Sequence, residues 1–144
     1  MKVGDIVVST DFIGGNIAKE DHRYVVTDNT YLKNLVLSKT SLQAQKETTG
    51  HRHPGQEEVY TFINGEGRME VDYLEFPVKA GNVVLIPDGA FHKVKNTGDY
   101  VLEFICVFDG KRHTEDSDIE FMTNLAKDSD VQIISSIDGK KEIL

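Results

Sequence analysis

His51-Arg52-His53-Pro54-Gly55-Gln56-Glu57-Glu58-Val59-Tyr60 and, further on, Gly81-Asn82-Val83-Val84-Leu85-Ile86-Pro87-Asp88-Gly89-Ala90-Phe91-His92, running on to Asn96, hold three of the chain's five histidines. Side chains two apart on a strand share a face. His51 and His53 therefore aim both imidazoles one way while Arg52 points the other. Glu58, Tyr60 and Phe62 share a face, and Phe62 belongs inside. Glu58 goes in with it, and Glu57 stays with solvent. His92 enters from a later strand and supplies a third imidazole. Three neutral imidazoles and one carboxylate suit one divalent transition metal ion, whether Fe, Mn, Co, Ni, Cu or Zn.

Around these stretches the punctuation is that of an all-β chain. Arg23–Thr27, Tyr31–Thr40, Tyr60–Ile63, Arg68–Val71, Leu74–Val78, Val83–Ile86, Phe91–Lys95 and Val101–Phe108 read as strands. Turns fall at Asp72-Tyr73, at 79–82 and at 96–99. Asn64-Gly65 is a hairpin signal, because a type I′ turn needs positive φ at both central positions. Val101–Phe108 is almost wholly apolar and reads as a strand buried on both sides. An apolar run over Asp5–Ser9 reads as a further short strand, Gly14-Gly15 as a joint, and Ser41–Gly50 as a polar loop approaching the site. Short strands at roughly 8–12-residue spacing predict a sandwich or barrel.

The last third changes character. Ser117 and Glu120 match a capping box, and Ile119, Met122, Leu125 and Ala126 recur at helical spacing, so a short helix is expected over Asp118–Lys127. Val131–Ser136 and Lys140–Leu144 then read as a hairpin about Asp138-Gly139.

Composition narrows the function classes. A chain of 144 residues with 39% hydrophobic and 28% charged residues fits one soluble domain. A net charge of -8 argues against nucleic acid and anionic lipid as partners. The start carries Asp5 and no long apolar run, which reads as neither signal peptide nor membrane span and points to a cytoplasmic protein. Cys106 is the only cysteine and sits among apolar neighbours, so it reads as a small buried hydrophobe rather than a nucleophile. His22 and His113 lie in polar stretches and read as solvated, as does the acidic run 115–118. Lys93, one position off His92, should point outward, as should Arg52. Arg68 is ambiguous.

The first stretch resembles the cupin motif G-x5-H-x-H-x(3,4)-E-x6-G through His51, His53, Glu58 and Gly65, with Gln45 standing where the leading glycine belongs. The second resembles G-x5-P-x-G-x2-H-x3-N through Gly81, Pro87, Gly89, His92 and Asn96, a full match. The resemblance implies an antiparallel barrel or jelly roll (a double-stranded β-helix) spanning the chain as one cupin domain. Its core would lie at about 23–109 and a helical and hairpin tail at 110–144. It also implies a metal held by His51, His53, Glu58 and His92, and a homodimer. Gly65, Gly81 and Gly89 would serve turns, and Pro87 would stiffen the approach to His92.

Cupins host many reactions, so the fold alone does not name one. An open, redox-capable site in an apolar pocket favours a metal-dependent enzyme acting on a small molecule, an oxygen-using, dioxygenase-like oxidoreductase above all. Glu58 could detach as a base and Tyr60 could donate to an oxyanion. A sugar or sugar-phosphate isomerase is the alternative, weakened because a phosphate would want an inward Arg or Lys. A non-catalytic metal- or ligand-binding module is the third.

Overall fold

The computed structural model describes residues 1–6, 9 and 11–110. A one-turn helix α1 (Val3–Ile6) precedes nine strands: β1 (Asn16–Glu20), β2 (Tyr24–Asn29), β3 (Leu35–Leu42), β4 (Glu58–Asn64), β5 (Glu66–Val71), β6 (Leu74–Lys79), β7 (Val83–Ile86), β8 (His92–Lys95) and β9 (Leu102–Asp109). Alternation builds the layers. In β3 every second side chain, from Val36 to Leu42, is buried, and β4 and β5 show the same period. The strands form two sheets, ordered β1-β2-β3-β9-β4-β7 and β6-β5-β8, with every pairing antiparallel. Phe62, Phe104, Leu42 and Leu102 of the first sheet are fully buried, as are Met69, Val71 and Val94 of the second, and all join one hydrophobic cluster. An all-β jelly roll is thus the observed architecture.

Several expectations need correction. Asn64-Gly65 is not a hairpin: β4 and β5 lie in different sheets, and the dipeptide is the corner where the chain crosses between them. Only Gly65 there has positive φ, +87°. A Cβ at this glycine would lie 2.5 Å from the Val101 carbonyl oxygen, so the corner is built around a missing side chain. The two-residue hairpin instead sits at Asp72-Tyr73, where Val71 pairs with Leu74.

Strand β9 is central but not buried on both sides. Leu102, Phe104 and Cys106 face inward, whereas Val107 is 40% exposed, because the second sheet covers only one face of the first. Val107 forms an outward apolar row with Leu37, Val59 and Leu85 on three neighbouring strands. The strand read over Asp5–Ser9 is also wrong at its start. Asp5 and Ile6 belong to α1, where the Asp5 amide bonds the Lys2 carbonyl and the Lys2 amide bonds the Asp5 carboxylate. Strand β1 was not expected, since all five of its residues are exposed and carry no apolar period. The expected helix 118–127, the hairpin that follows it, His113 and the acidic run 115–118 lie outside the described residues.

Gln45, the departure from the motif, adopts the left-handed conformation itself, with φ +64°. Its amide nitrogen donates to the carbonyls of Thr97 and Gly98 at 3.1 and 2.8 Å, tying this turn to the loop after β8. Left-handed backbone costs a non-glycine residue about 1–2 kcal/mol. Gln45→Ala keeps that strain and loses both bonds. Gln45→Gly loses the bonds but removes the strain, less about 0.4–1 kcal/mol of unfolded-chain entropy. The glycine variant should therefore be the more stable of the two by about 0.5–1 kcal/mol in urea unfolding. An alanine variant at least as stable as the glycine one contradicts the strain.

Candidate metal centre

The site is assembled by pairing two distant stretches of chain. His51 and His92 face each other across an antiparallel bridge, with the His51 amide donating to the His92 carbonyl at 3.2 Å and the His92 amide returning at 2.9 Å. That pairing sets the two rings with centroids 4.5 Å apart. His53, two residues on, brings its ring to 4.5 Å from that of His51. Gly55 then turns the chain at φ +82°, and its amide is held by Oδ1 of Asp88 at 2.7 Å, fastening the two motif loops together. Glu58 opens β4 facing inward, 7% exposed, while Glu57 stays in solvent, as strand parity requires. Its Oε1 lies 3.5 Å from Nε2 of His92 and 3.8 Å from Nε2 of His53.

One donor atom from each of His51, His53, Glu58 and His92 lies within 4.8 Å of the others. Donors each about 2.1 Å from a shared ion sit up to about 4.2 Å apart, so a shift of roughly half an ångström closes the set. His92 is already oriented for this role. Its Nδ1–H donates to the Ala90 carbonyl at 3.0 Å, which fixes the tautomer. Its Nε2 is buried and makes no aligned hydrogen bond. A buried nitrogen lone pair turned toward two more imidazoles and a carboxylate fits a metal ion better than it fits the bare protein.

The electrostatics agree. Burial drives the His51 imidazole well below its ordinary pKa, and His92, His53 and Lys19 push the same way, so His51 is neutral and able to ligate. Burial also lowers His92, but the Glu58 carboxylate outweighs it and the net shift is upward. A metal ion binds only the deprotonated ring, so acid competes with the ion at His92. Tyr60 is buried on the same face as Glu58, stacked on Phe104 at 5.2 Å and edge-on to His92 at 5.6 Å. Burial raises its phenol well above the usual 10.0, with Cys106 and Glu58 adding to the effect, so it stays protonated. Cys106 is buried, as expected, in hydrogen-bond contact with Tyr60.

The other singled-out cations fall away from the cluster. Lys93 pairs with Glu47 at 2.7 Å and Arg68 with Glu75 at 3.3 Å. Arg52 points away from the histidines but not into water: it is 4% exposed and interacts with the buried Asp72. His22 is exposed. Three of the four donors, His51, His53 and Glu58, sit on the wall of a cavity of about 390 Å³, whose lining also includes Lys19, Asp28, Ser38, Thr40, Gln56 and Phe108. Sequence reasoning missed these. Asp28 could have been found by continuing the parity of Tyr24 and Val26, whereas Lys19 lies on the strand that left no apolar signal. Among the described residues no helix is long and apolar enough to cross a membrane.

Comparison with known proteins agrees with this geometry. Residues 39–108 match the family model described as a cupin domain. An uncharacterised protein of Methanocaldococcus jannaschii is 27% identical over 107 residues, covering 67% of this chain and 86% of its own length. The oxalate-binding protein of Thermotoga maritima is 39% identical over 57 residues, which are 40% of this chain and 47% of that protein. A Thermotoga maritima crystal structure described as a predicted oxalate decarboxylase superposes with a TM-score of 0.59 at 23% identity, over 66% of this chain and 92% of that one.

Proposed function

The chain carries a cupin-superfamily domain, and on that footing we propose that it is a metal-dependent enzyme acting on a small organic acid, with oxygen-using, dioxygenase-like chemistry. One observation carries the reading: donor atoms of His51, His53, Glu58 and His92 cluster together, and the first three of these residues line a cavity. A first-row ion held by these residues would supply Lewis-acid and redox chemistry. The rest falls to the chain's own groups. Lys19, on the cavity lining, attracts the substrate's carboxylate. This also removes the objection that no cation lines the pocket, although a single lysine is a sparse cradle for a phosphate. Tyr60, held as a neutral phenol, donates a hydrogen bond to oxyanionic character. Glu58 can accept a proton without leaving its place. Phe104, Phe108 and Val36 make that part of the lining apolar and keep water away from the reacting groups.

A second reading, a non-catalytic binder of small carboxylates, is favoured by the name of the 39% identical relative. The two readings separate in one assay. The protein is loaded in turn with Fe(II), Mn(II), Cu(II), Ni(II) and Zn(II), and oxygen uptake and carbon dioxide release are followed with a panel of small carboxylic acids. The enzyme reading expects turnover with a redox metal and not with zinc. Binding of an acid without turnover under any loading leaves the second reading. A homodimer through the outward row of Leu37, Val59, Leu85 and Val107 belongs to the same proposal, and sedimentation as a monomer would overturn that part.

A further inference from the structure

Resting on the reading of a small-acid site, we propose that Asp28 is a specificity residue that selects acids bearing a hydroxyl group. Strand register places it. Asp28 pairs with Ser38, Ser38 with Cys106, and Cys106 with Tyr60, so these four form one row across β2, β3, β9 and β4. The adjacent row holds Val36, Phe108 and Glu58. Asp28 therefore stands one register step from the row of the metal-site carboxylate, and alternate residues of β2 (Tyr24, Val26 and Asp28) line the same cavity.

It is a second carboxylate in the lining, beside Glu58. Oδ1 of Asp28 is closed off from solvent and has no hydrogen-bond partner. A carboxylate with unspent acceptor capacity inside a protein is costly to keep, and a fold under no other demand would replace it with an apolar or fully paired side chain. A side-chain rotation that brings this oxygen to the cavity surface lets a ligand donor satisfy it. The neighbouring Ser38, buried on the same row, and Thr40, on the next, add hydroxyl groups. Lys19, in the same lining and close enough to bias His51, takes the opposite charge. One cation and one unpaired acceptor fit a molecule with a carboxylate at one end and a hydroxyl donor at the other. A fully ionised diacid with no donor would set its second negative group against Asp28.

The test compares glycerate with propionate, acids of equal carbon count that differ in hydroxyl groups, by calorimetric titration into zinc-loaded protein, where redox turnover is silent. A site built to bond a hydroxyl discriminates strongly against a ligand lacking it. Wild type should prefer glycerate by at least about 10-fold. In Asp28→Ala that ratio should fall toward one at unchanged zinc content, with Asp28→Asn, which keeps one acceptor, in between. Asp28→Ala should also melt no lower than wild type without ligand, because it removes an unpaired buried oxygen. Equal affinity for both acids in wild type, or an undiminished preference in Asp28→Ala, overturns the role of Asp28 and leaves the small-acid reading standing. Failure of both acids to bind the zinc-loaded protein overturns both.

Discussion

His92→Ala should leave the protein folded and nearly empty of metal. The ring contributes the buried nitrogen already turned toward Glu58, and no other imidazole among the described residues can take its place. Loss of a mere outer-shell partner costs a metal site 10–100-fold in affinity, so loss of a ligand should cost at least about 100-fold, or about 2.7 kcal/mol. Competition against a chromophoric chelator measures this, and circular dichroism checks that the β signal persists. The paired glutamates sharpen the result. Glu58→Gln should weaken the site substantially, whereas Glu57→Gln, exposed on the opposite face, should leave it unchanged. A His92→Ala protein that is folded and holds its ion at wild-type strength would remove the metal centre from this account. Equal losses at both glutamates would contradict the strand parity.

The second large effect concerns stability rather than chemistry. Gly65→Ala combines two penalties, a left-handed backbone at φ +87° and a Cβ 2.5 Å from the Val101 carbonyl oxygen and 3.0 Å from Leu102 Cα. The first costs about 1–2 kcal/mol. The second pushes backbone against backbone and must move β9 or the corner. A total of about 3–5 kcal/mol is expected, a large part of a typical 5–15 kcal/mol. Gly81→Ala provides the internal control. Its φ is +97°, but nothing lies within 4 Å of the added carbon, so only the conformational penalty of about 1–2 kcal/mol applies. Equal losses for the two in denaturant unfolding would mean that the corner at Gly65 is not tight.

The residues at these positions explain what could be read without coordinates. The cluster of three histidines and one glutamate was legible because period two fixes which side chains share a face, and because His92 stands at a fixed offset from Gly81, Pro87 and Gly89. Strand Val83–Ile86 is apolar between clear turns, and its limits match the structure residue for residue. Legibility failed where local signals are silent about partners. Asn64-Gly65 advertises a turn, but only long-range pairing decides whether that turn joins two strands of one sheet or leads from one sheet into another. Val101–Phe108 is apolar at nearly every position, so its composition could not reveal that Val107 faces outward. Strand β1 is held by backbone bonds to β2 and has no buried residue to announce it, which is why Lys19 went unseen. Gln45 shows the reverse case: the residue that departs from the motif adopts a left-handed backbone that favours glycine, and its side-chain bonds to Thr97 and Gly98 help to hold it there.

The placement of β9 between β3 and β4 also governs when this molecule can take shape. β3 and β4 have no bonds to one another and meet only through a strand that follows them by dozens of residues, as the bond from Ser41 to Glu103 illustrates. During synthesis neither half of the larger sheet can close until residues 102–109 clear the ribosome. Until then the greasy sides of both halves stand open to neighbouring chains. A nascent chain halted before Leu102 would be a candidate for chaperone capture, and β9 works as the keystone of the larger sheet.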